Sequence, residues 1–263
     1  MLTYFRVFQT VISEFFVYRF NFILWRLRNI LGLLIKYFLW LAVFEQSHTV
    51  FGYDKSHMLT YILLSTVIAD IAISTKTADI AGEILKGDII NYILRPIAFF
   101  KYHLARDLGD KFLNIFFSIF EVVLVLILLK TPIVVQTNPF AYVATGVFII
   151  IGITISFFIN MSMSFIAFWS NEVWAPRFIF YMLLLIFAGS YFPLDVLPKT
   201  LYYAFFLTPF PYLFYLPTRI YLGASLIDIG FFFISGLVWV VLSYKLTKML
   251  WNKGMREFSF FGR

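Results

Sequence analysis

The sequence predicts an all-α integral membrane protein, and its composition is the first reason. Of its 263 residues, 62% are hydrophobic, only 13% are charged and 35 are Phe. A chain this apolar cannot cover its hydrophobic surface within one water-soluble core, so the lipid bilayer must serve as its solvent. Long apolar stretches separated by short polar segments then predict six transmembrane helices in a single membrane domain over residues 1–263.

The six spans follow from length, because a helix needs about 20 apolar residues to cross a hydrocarbon core of about 30 Å. The stretches lie at residues 22–44, 58–75, 111–129, 140–168, 178–192 and 226–250. The fourth is the longest, and we expect its helix to tilt or to project beyond the bilayer. The fifth ends near Gly189 and Pro193, so a broken or incomplete span is expected there.

The distribution of Lys and Arg predicts the orientation of the chain. With both termini on the cytoplasmic side, fourteen of these residues fall in inner segments and four in outer segments. Because cationic segments are retained on the cytoplasmic side, both termini are expected inside. The sequence predicts no soluble domain that could present the net charge of +7 to nucleic acid. Anionic headgroups of membrane lipids are its expected partner.

The first 21 residues predict an amphipathic helix. Apolar side chains recur there at helical spacing, with polar residues between them: Tyr4, Phe8, Val11, Ile12 and Phe15. Such a helix lies in the inner membrane interface with its apolar face buried. The alternative is that these residues simply extend the first span, since the polar face is modest.

Residues 193–225 form an outer segment that fits neither a solvated loop nor a single span. Five prolines interrupt a run rich in Leu, Phe and Tyr: Pro193, Pro198, Pro209, Pro211 and Pro217. Proline excludes one continuous helix, and the apolar composition excludes a loop in water. Short re-entrant helices that dip into the outer leaflet satisfy both conditions.

A cationic island at residues 76–111 separates two apolar runs and holds six of the 21 Lys and Arg residues. Within it, a helical pattern over residues 79–94 is interrupted by Gly87, and Pro96 disfavours helix at Arg95. A short helix, a turn and a second short element are therefore predicted in a cytoplasmic region at 76–110. These elements either present charge to a cytoplasmic partner or form a solvated loop without one.

Signals of catalysis are absent from the sequence. It contains no Gly-rich phosphate loop ending in Gly-Lys-Ser/Thr, no paired-His motif and no Gly-x-Ser-x-Gly elbow. There is no cysteine, and His48, His57 and His103 are too dispersed for a metal site. No catalytic residue, metal or cofactor is therefore expected in this chain, and the energy for any work would come from another subunit.

Two segments resemble a known family. The run Gly-Glu-Ile-Leu-Lys-Gly-Asp-Ile-Ile-Asn-Tyr-Ile-Leu-Arg-Pro at 82–96 resembles a signature of type 2 ABC exporter permeases. Residues 188–198, followed by Thr208-Pro209-Phe210-Pro211, are similar to the break after that family's fifth span. The order of parts matches over essentially the whole chain, within an uncharacterised branch of permeases close to this chain in length.

The resemblance implies a membrane subunit that works with a second permease, identical or homologous, on two copies of a separate ABC ATPase. ATP and Mg would bind in that partner. A coupling helix would dock on the ATPase through Gly82, Glu83, Ile84, Leu85, Lys86, Gly87, Leu94, Arg95 and Pro96. Glu83 and Lys86 would make polar contacts with the partner, while Ile84, Leu85, Ile89 and Ile93 would anchor the element.

The resemblance also implies alternating access in a bacterial plasma membrane, with outward movement of an amphipathic drug, antibiotic, lipid or glycan. The outer gate would include Gly189, Phe192, Pro193, Pro198 and Pro209. An energy-independent channel or secondary transporter is the alternative. A secondary transporter should show repeated halves with helices broken at corresponding positions, and the sequence shows neither. A third alternative, an integral membrane enzyme acting on lipid, would need clustered His or carboxylates at an interface, and the three dispersed His residues argue against it.

Three ionisable residues fall inside predicted spans, where each is costly unless it is paired or hydrated: Lys36, Asp70 and Glu121. We expect Lys36 and Glu121, placed at similar depth, to form a pair, or Lys36 to face a polar cavity. Asp70 is expected to cap a helix or to pair with Lys76. Three further cations are expected to face lipid as anchors of the third span: Lys101, Arg106 and Lys111.

Overall fold

The computed structural model describes residues 2–94 and 97–258, where the chain folds into α-helices and one short hairpin. Strands β1 (Thr49–Val50) and β2 (Tyr53–Asp54) pair antiparallel. The helices are α1 Leu2–Val17, α2 Arg19–Val43, α3 Lys55–Ile73, α4 Asp79–Leu85, α5 Ile90–Leu94, α6 Phe99–Leu129, α7 Pro139–Ser164, α8 Trp174–Phe187, α9 Lys199–Phe206, α10 Tyr215–Tyr221 and α11 Leu226–Glu257. Short 3-10 helices lie at Lys76–Ala78, Phe165–Phe168, Leu194–Val196 and Phe210–Tyr212. The predicted all-α class is confirmed for the described residues.

Four segments of the described chain are long and apolar enough to cross a membrane: Lys55–Leu85, Phe99–Leu129, Pro139–Phe168 and Asp228–Glu257. The first predicted span corresponds to α2, which has 25 residues but carries Arg26, Arg28 and Lys36. The fifth corresponds to α8, an apolar helix of 14 residues. Six spans therefore stay a prediction. The third span differs most from expectation, because α6 begins about three turns before residue 111.

Helix α3 lies at the centre of the bundle. It packs against α2, α6, α7 and α10, and its residues 58–63 are buried without interruption. Asp54 caps its first turn by accepting a hydrogen bond from the backbone N–H of His57 at 2.8 Å. Because neighbours cover α3 on all sides, its sequence shows no amphipathic pattern.

The proline-rich outer segment folds back into this core. Residues 211–218 are all buried, and α10 packs against both α3 and α7. Gly152 of α7 permits the approach, since a Cβ there would lie 2.6 Å from the carbonyl oxygen of Tyr212. The segment therefore consists of short helices broken at prolines, as its composition predicts. Its position relative to a lipid leaflet stays a prediction.

Helix α1 packs along the first half of α6 through the apolar stripe that the sequence shows. Val11 is 2% exposed, and the rings of Phe8 and Phe112 meet edge to face with centroids 5.8 Å apart. A Cβ on Gly109 would lie 3.0 Å from the Cβ of Val11, so glycine lets the two helices touch. The chain bends at Tyr18 before α2 begins, so α1 is not a straight extension of the first span.

Helix α6 has an inverted amphipathic surface. Its exposed side is apolar and includes Phe112, Phe116, Phe120 and Ile127. Its buried side is largely polar and faces the other helices of the bundle. A soluble helix shows the opposite arrangement, so this pattern is typical of a helix that contacts lipid.

Candidate functional site

The cationic island forms a helix, a turn and a second helix beside the inner ends of α6, α7 and α11. Helix α4 ends at Leu85, Gly87 turns the chain with a φ of +79°, and α5 begins at Ile90. That φ lies in the left-handed region that favours glycine. The backbone N–H of Gly87 donates to the carbonyl of Ile84 at 3.1 Å. The predicted local structure is therefore present, and residues 79–94 are called the inner element.

The apolar side of the inner element packs on a buried aromatic cluster. Ile80, Ile84 and Ile89 are each 4% exposed or less. They join a core group in which the rings of Phe99 and Trp251 stack with centroids 4.2 Å apart. Ile84 and Ile89 thus anchor the element against its own chain, so it is packed on one side, and its contact with a cytoplasmic partner stays a prediction.

Glu83, one of three acidic residues of the element, is paired within the protein. One carboxylate oxygen accepts from the Tyr92 hydroxyl at 3.0 Å, and the other accepts from Arg106 at 3.2 Å. Arg106 also binds Asp79 at 2.9 Å. Burial raises the pKa of the Tyr92 phenol, and the neighbouring Glu83 carboxylate raises it further, so this phenol stays a donor. Glu83 therefore holds α4 to α5 and α6, where a partner contact was expected.

The tip of the inner element is the part that reaches outward. Leu85 is 44% exposed and Leu94 is 77% exposed, and Lys86, Asp88 and Asn91 are exposed between them. Leu85 was expected to anchor the element, but α4 turns it away from the core because Ile84 occupies the buried face. Among the other predicted docking residues, Gly82 is half-buried with open space around it. Arg95, Pro96 and the side chain of Ile93 lie outside the described residues.

Lys111 joins α6 to the end of α3. Its Nζ donates to the carbonyls of Ile71 at 3.0 Å and Ser74 at 2.6 Å, and so satisfies the C-terminal end of α3. The same ammonium pairs with Asp107 at 3.4 Å, and Asp107 accepts from Thr75 at 2.6 Å. Lys111 is 2% exposed, so its predicted contact with lipid is wrong.

Arg106 is likewise turned inward, and only Lys101 of the three expected lipid anchors is exposed. The reason is the early start of α6, which places these residues beside α3 and α4 instead of at the edge of the bilayer. The buried polar residues of α6 recur at intervals of three and four: His103, Asp107, Lys111, Asn114, Ser118 and Glu121. That periodicity is visible in the sequence and could have identified them. Among the described residues, no group of three or more His, Asp or Glu side chains could hold a metal.

Arg26 is the centre of a buried polar network between α2, α3 and α6. Its guanidinium donates to Glu121 at 2.5 Å, to Asn114 at 3.1 Å and to Ser118 at 3.0 Å. Ser118 in turn donates to Asp70 at 2.8 Å, which lies 3.7 Å from the same guanidinium. One buried cation therefore contacts two carboxylates on neighbouring helices.

This network overturns two predicted pairings. Glu121 pairs with Arg26, which lies ten residues before Lys36 and so about 15 Å away along α2. Lys36 and Glu121 are therefore at different depths, and their predicted pair is wrong. Asp70 is engaged with Arg26 and Ser118, and its expected partner Lys76 instead pairs with Glu14 at 3.3 Å.

The second alternative for Lys36, a polar cavity, agrees with the structure. A cavity of about 640 Å³ runs between α2, α3 and α8, and is called the groove. Lys36 donates to Thr66 there at 2.9 Å, and Arg28 lies nearer the N-terminal end of the same helix. Asp70 contributes the acidic part of the lining, and Tyr181 and Tyr191 close the side formed by α8 and its following turn.

The outer end of the groove is bounded by the turn that follows α8. Gly189 adopts a φ of +76°, and its carbonyl accepts from the buried Tyr61 hydroxyl at 2.6 Å. A Cβ at this glycine would lie 2.9 Å from that hydroxyl, so a larger residue does not fit. Trp40 donates to the carbonyl of Tyr191 at 2.9 Å. The turn is therefore tied to both α2 and α3.

Of the other predicted gate residues, Pro193 is buried, Phe192 and Pro209 are half-buried and Pro198 is exposed. Asp195, between them, accepts from Tyr53 of the β-hairpin at 2.7 Å and pairs with Arg219 at 3.2 Å. Burial raises the pKa of Tyr53, and the Asp195 carboxylate raises it further. The predicted gate residues are thus spread over a fixed turn and its surroundings, and their role in gating stays a prediction.

Comparison with protein families agrees with this architecture. A family model described as ABC-2 family transporter protein matches residues 30–262. The match extends from α2 beyond the end of α11, and so includes the inner element, most of the groove and the outer segment. No curated protein matches closely enough to be compared. The chain therefore belongs to the ABC-2 family of transporter proteins, as its sequence resemblance predicts.

Proposed function

We propose that this chain is the permease subunit of an ATP-driven exporter that moves an amphipathic substrate outward across a bacterial plasma membrane. Family membership supports a membrane transport component that uses an ABC ATPase in general. The observation that carries the finer assignment is the inner element, whose underside is fixed to the bundle while its tip is exposed. ATP and Mg bind in the separate ATPase subunits, of which two are expected.

The tip has the composition of a docking surface. Two exposed leucines, Leu85 and Leu94, frame charged and polar side chains, and a surface of apolar anchors with a polar rim is common at protein interfaces. Leucines exposed to water at the end of a helix gain stability when a partner covers them. The partner contacts therefore come from Leu85, Lys86 and Leu94, and Glu83 supports the element from within.

The route from the tip to the groove is short and polar. Glu83 and Arg106 bind the inner element to α6, and Lys111 binds α6 to the end of α3. Helix α3 supplies one wall of the groove through Thr66 and Asp70. A displacement of the tip by the ATPase would therefore move α3 against α2 and α8. Coupling requires that the ATPase contacts differ between the two states of the permease.

The groove also supports pairing with a second permease subunit, identical or homologous. Its two cations would face lipid on the open side of α2, where unpaired charge is costly. A second subunit placed against α2 and α8 would enclose the groove and form a shared pathway, with the turn at Gly189 at its outer end. Both termini then lie in the cytoplasm, where the cations of α11 meet anionic lipid.

The test is purification of the tagged permease from its native membranes, with ATP hydrolysis measured in the eluate and the ATPase subunit identified by mass spectrometry. The variant Leu85→Ala/Leu94→Ala should reduce the ATPase that copurifies by roughly tenfold or more, because truncated apolar anchors weaken an interface strongly. Retention of the ATPase at the level of the unaltered chain would contradict the docking assignment.

A matched control is available in the outer segment. Leu201 is 48% exposed and Leu207 is 77% exposed, which matches the two leucines of the tip. The variant Leu201→Ala/Leu207→Ala should keep the ATPase bound, since these residues lie at the opposite end of the molecule. Equal loss in both variants would show a general effect on the protein and would contradict a specific interface.

A further inference from the structure

The groove between α2, α3 and α8 contains two cations without an acidic partner. Among the residues that the structure describes, neither Arg28 nor Lys36 has a carboxylate within ion-pair distance. Lys36 has one neutral partner, the Thr66 hydroxyl at 2.9 Å, and Arg28 lies over the Trp25 ring at 5.7 Å. Both cations are therefore available to a ligand.

The one acidic residue of the lining does not cancel them. Asp70 accepts from Ser118 at 2.8 Å and lies 3.7 Å from Arg26, on the side of α3 that faces α6. Arg26 is shared with Glu121 and cannot cancel both carboxylates, but the single carboxylate of Asp70 is outnumbered by the two cations of the groove. An unpaired cation in a half-buried site is unfavourable unless a counter-charge reaches it. The groove consequently has a net positive lining.

The rest of the lining combines apolar and aromatic side chains with polar ones. Leu33, Ile35 and Leu185 are apolar, whereas Asn29 and Ser190 are polar and uncharged. A cavity of about 640 Å³ has the size of a small-ligand site. Two cations on a wall that also offers apolar surface match a molecule with a charged head and a hydrocarbon body.

We propose that the groove binds an amphiphile with an anionic headgroup, and that Arg28 and Lys36 are the two stations for that headgroup. The proposal rests on the proposed function and specifies its substrate class. The two residues are eight positions apart, so they lie about 12 Å apart along one face of α2. A single phosphate or carboxylate contacts one station at a time. Arg28 is the inner station, and Lys36 is the station nearer the turn at Gly189.

The test measures binding to the full-length permease alone, in nanodiscs of phosphatidylcholine, with radiolabelled dodecyl phosphate as the probe. Empty nanodiscs give the partitioning background, and the saturable component gives the dissociation constant. Dodecyl phosphate should bind at least tenfold more tightly than dodecyltrimethylammonium, which has the same chain and the opposite charge. Equal binding of the two probes would overturn the proposal.

Variants of the two stations test their roles. Because the two stations are alternatives, equal occupancy predicts that Arg28→Gln and Lys36→Gln each weaken dodecyl phosphate binding by only about twofold. The double variant should weaken it by about tenfold or more, as for loss of charged hydrogen bonds. The charge-keeping variant Arg28→Lys/Lys36→Arg should retain binding within about threefold, which separates lost charge from lost folding. The matched control Lys101→Gln/Lys199→Gln removes two exposed cations away from the groove and should leave binding unchanged. Unchanged binding in the double station variant would refute the assignment.

A further experiment tests whether the anionic ligand is a membrane lipid or a water-soluble amphiphile. If the natural ligand is a membrane lipid, replacing part of the phosphatidylcholine by phosphatidylglycerol should weaken dodecyl phosphate binding by competition. If it is a water-soluble amphiphile, the constant should not change, and both results retain the anionic class. The binding assay contains no ATPase. If the unaltered permease shows no saturable probe binding but retains the ATPase in the copurification assay, this inference is rejected and the proposed function is left in place.

Discussion

The cations on the two sides of helix α3 differ in whether they are paired. On the side of α6, Arg26 and Lys111 are buried and each is bound to carboxylates, hydroxyls or carbonyls. On the side of α8, Arg28 and Lys36 face an open groove without an acidic partner. The four cations lie within the same bundle, and Arg26 and Arg28, which belong to different pairs, are only two positions apart in the chain.

The buried, paired cations stabilise the fold, whereas the two cations of the groove are available to bind a ligand. Helix α2 contributes to both sides, because residues two positions apart on a helix point about 200° apart and Arg26 and Arg28 therefore face different neighbours. Removing a paired cation leaves its carboxylate buried and uncompensated, whereas removing an unpaired cation leaves nothing unsatisfied. Stability measurements on matched substitutions should therefore distinguish the two sides.

The largest effect is expected at Arg26. The variant Arg26→Met should lower the free energy of unfolding by about 3–5 kcal/mol, because Glu121 and Asp70 would both lose their buried counter-charge. The measurement is thermal or denaturant-induced unfolding of the purified permease in nanodiscs.

The double variant Arg26→Met/Glu121→Gln tests the pairing itself. It should recover a substantial part of the loss, since the strongest uncompensated charge has been removed with its partner. If Glu121→Gln lowered the stability of Arg26→Met by as much as it lowers the stability of the unaltered chain, the two residues would act independently and the network would be contradicted. In the control double variant Lys36→Met/Glu121→Gln, the second change should restore no stability, because the side chains of Lys36 and Glu121 do not contact each other.

The next effect is expected at Lys111. The variant Lys111→Met should destabilise the protein by about 2–4 kcal/mol, because the carbonyls of Ile71 and Ser74 lose a buried donor and Asp107 loses its cation. Hydrogen exchange should rise at the end of α3 and in residues 74–79. Lys101→Met, in the exposed first turn of the same helix, should leave the unfolding midpoint unchanged. Equal stability of the two variants would refute the capping role.

The smallest effect on stability is expected at Lys36. The variant Lys36→Gln keeps a donor for Thr66 and removes a charge that has no acidic partner, so the free energy of unfolding should change by less than about 1 kcal/mol. The same unfolding assay serves for this variant. A loss as large as that of Arg26→Met would show that Lys36 stabilises the fold, and would remove the contrast between the two sides of α3.

The helices and the inner element were predictable because their signals are local. Apolar length located the long helices, prolines located the breaks in the outer segment, and Gly87 located the turn between α4 and α5. Each depends on residues that are close together in the chain. The family resemblance depended on the same local features in their order.

The partners of the charged residues were not predictable in the same way. The depth of Glu121 relative to α2 depends on where α6 begins, and the apolar run suggested residue 111 although the helix starts at Phe99. The polar residues of the first turns of α6 look like a solvated loop until α1, α3 and α4 are packed around them. Hydropathy alone cannot distinguish a polar stripe that faces helices from one that faces water. The three- and four-residue spacing from His103 to Glu121 is the signal that makes this distinction.

The burial of α10 has a consequence for how the protein is made. Its residues fill the space between α3 and α7, yet they are synthesised after both of those helices. Until α10 and the residues just before it are in place, the surfaces around Tyr61 and Gly152 lack their final neighbours. Membrane insertion of the early helices and completion of their core are therefore separate steps in biogenesis. A chain truncated before residue 211 would insert without ever closing its centre, and quality-control proteases would be expected to recognise it.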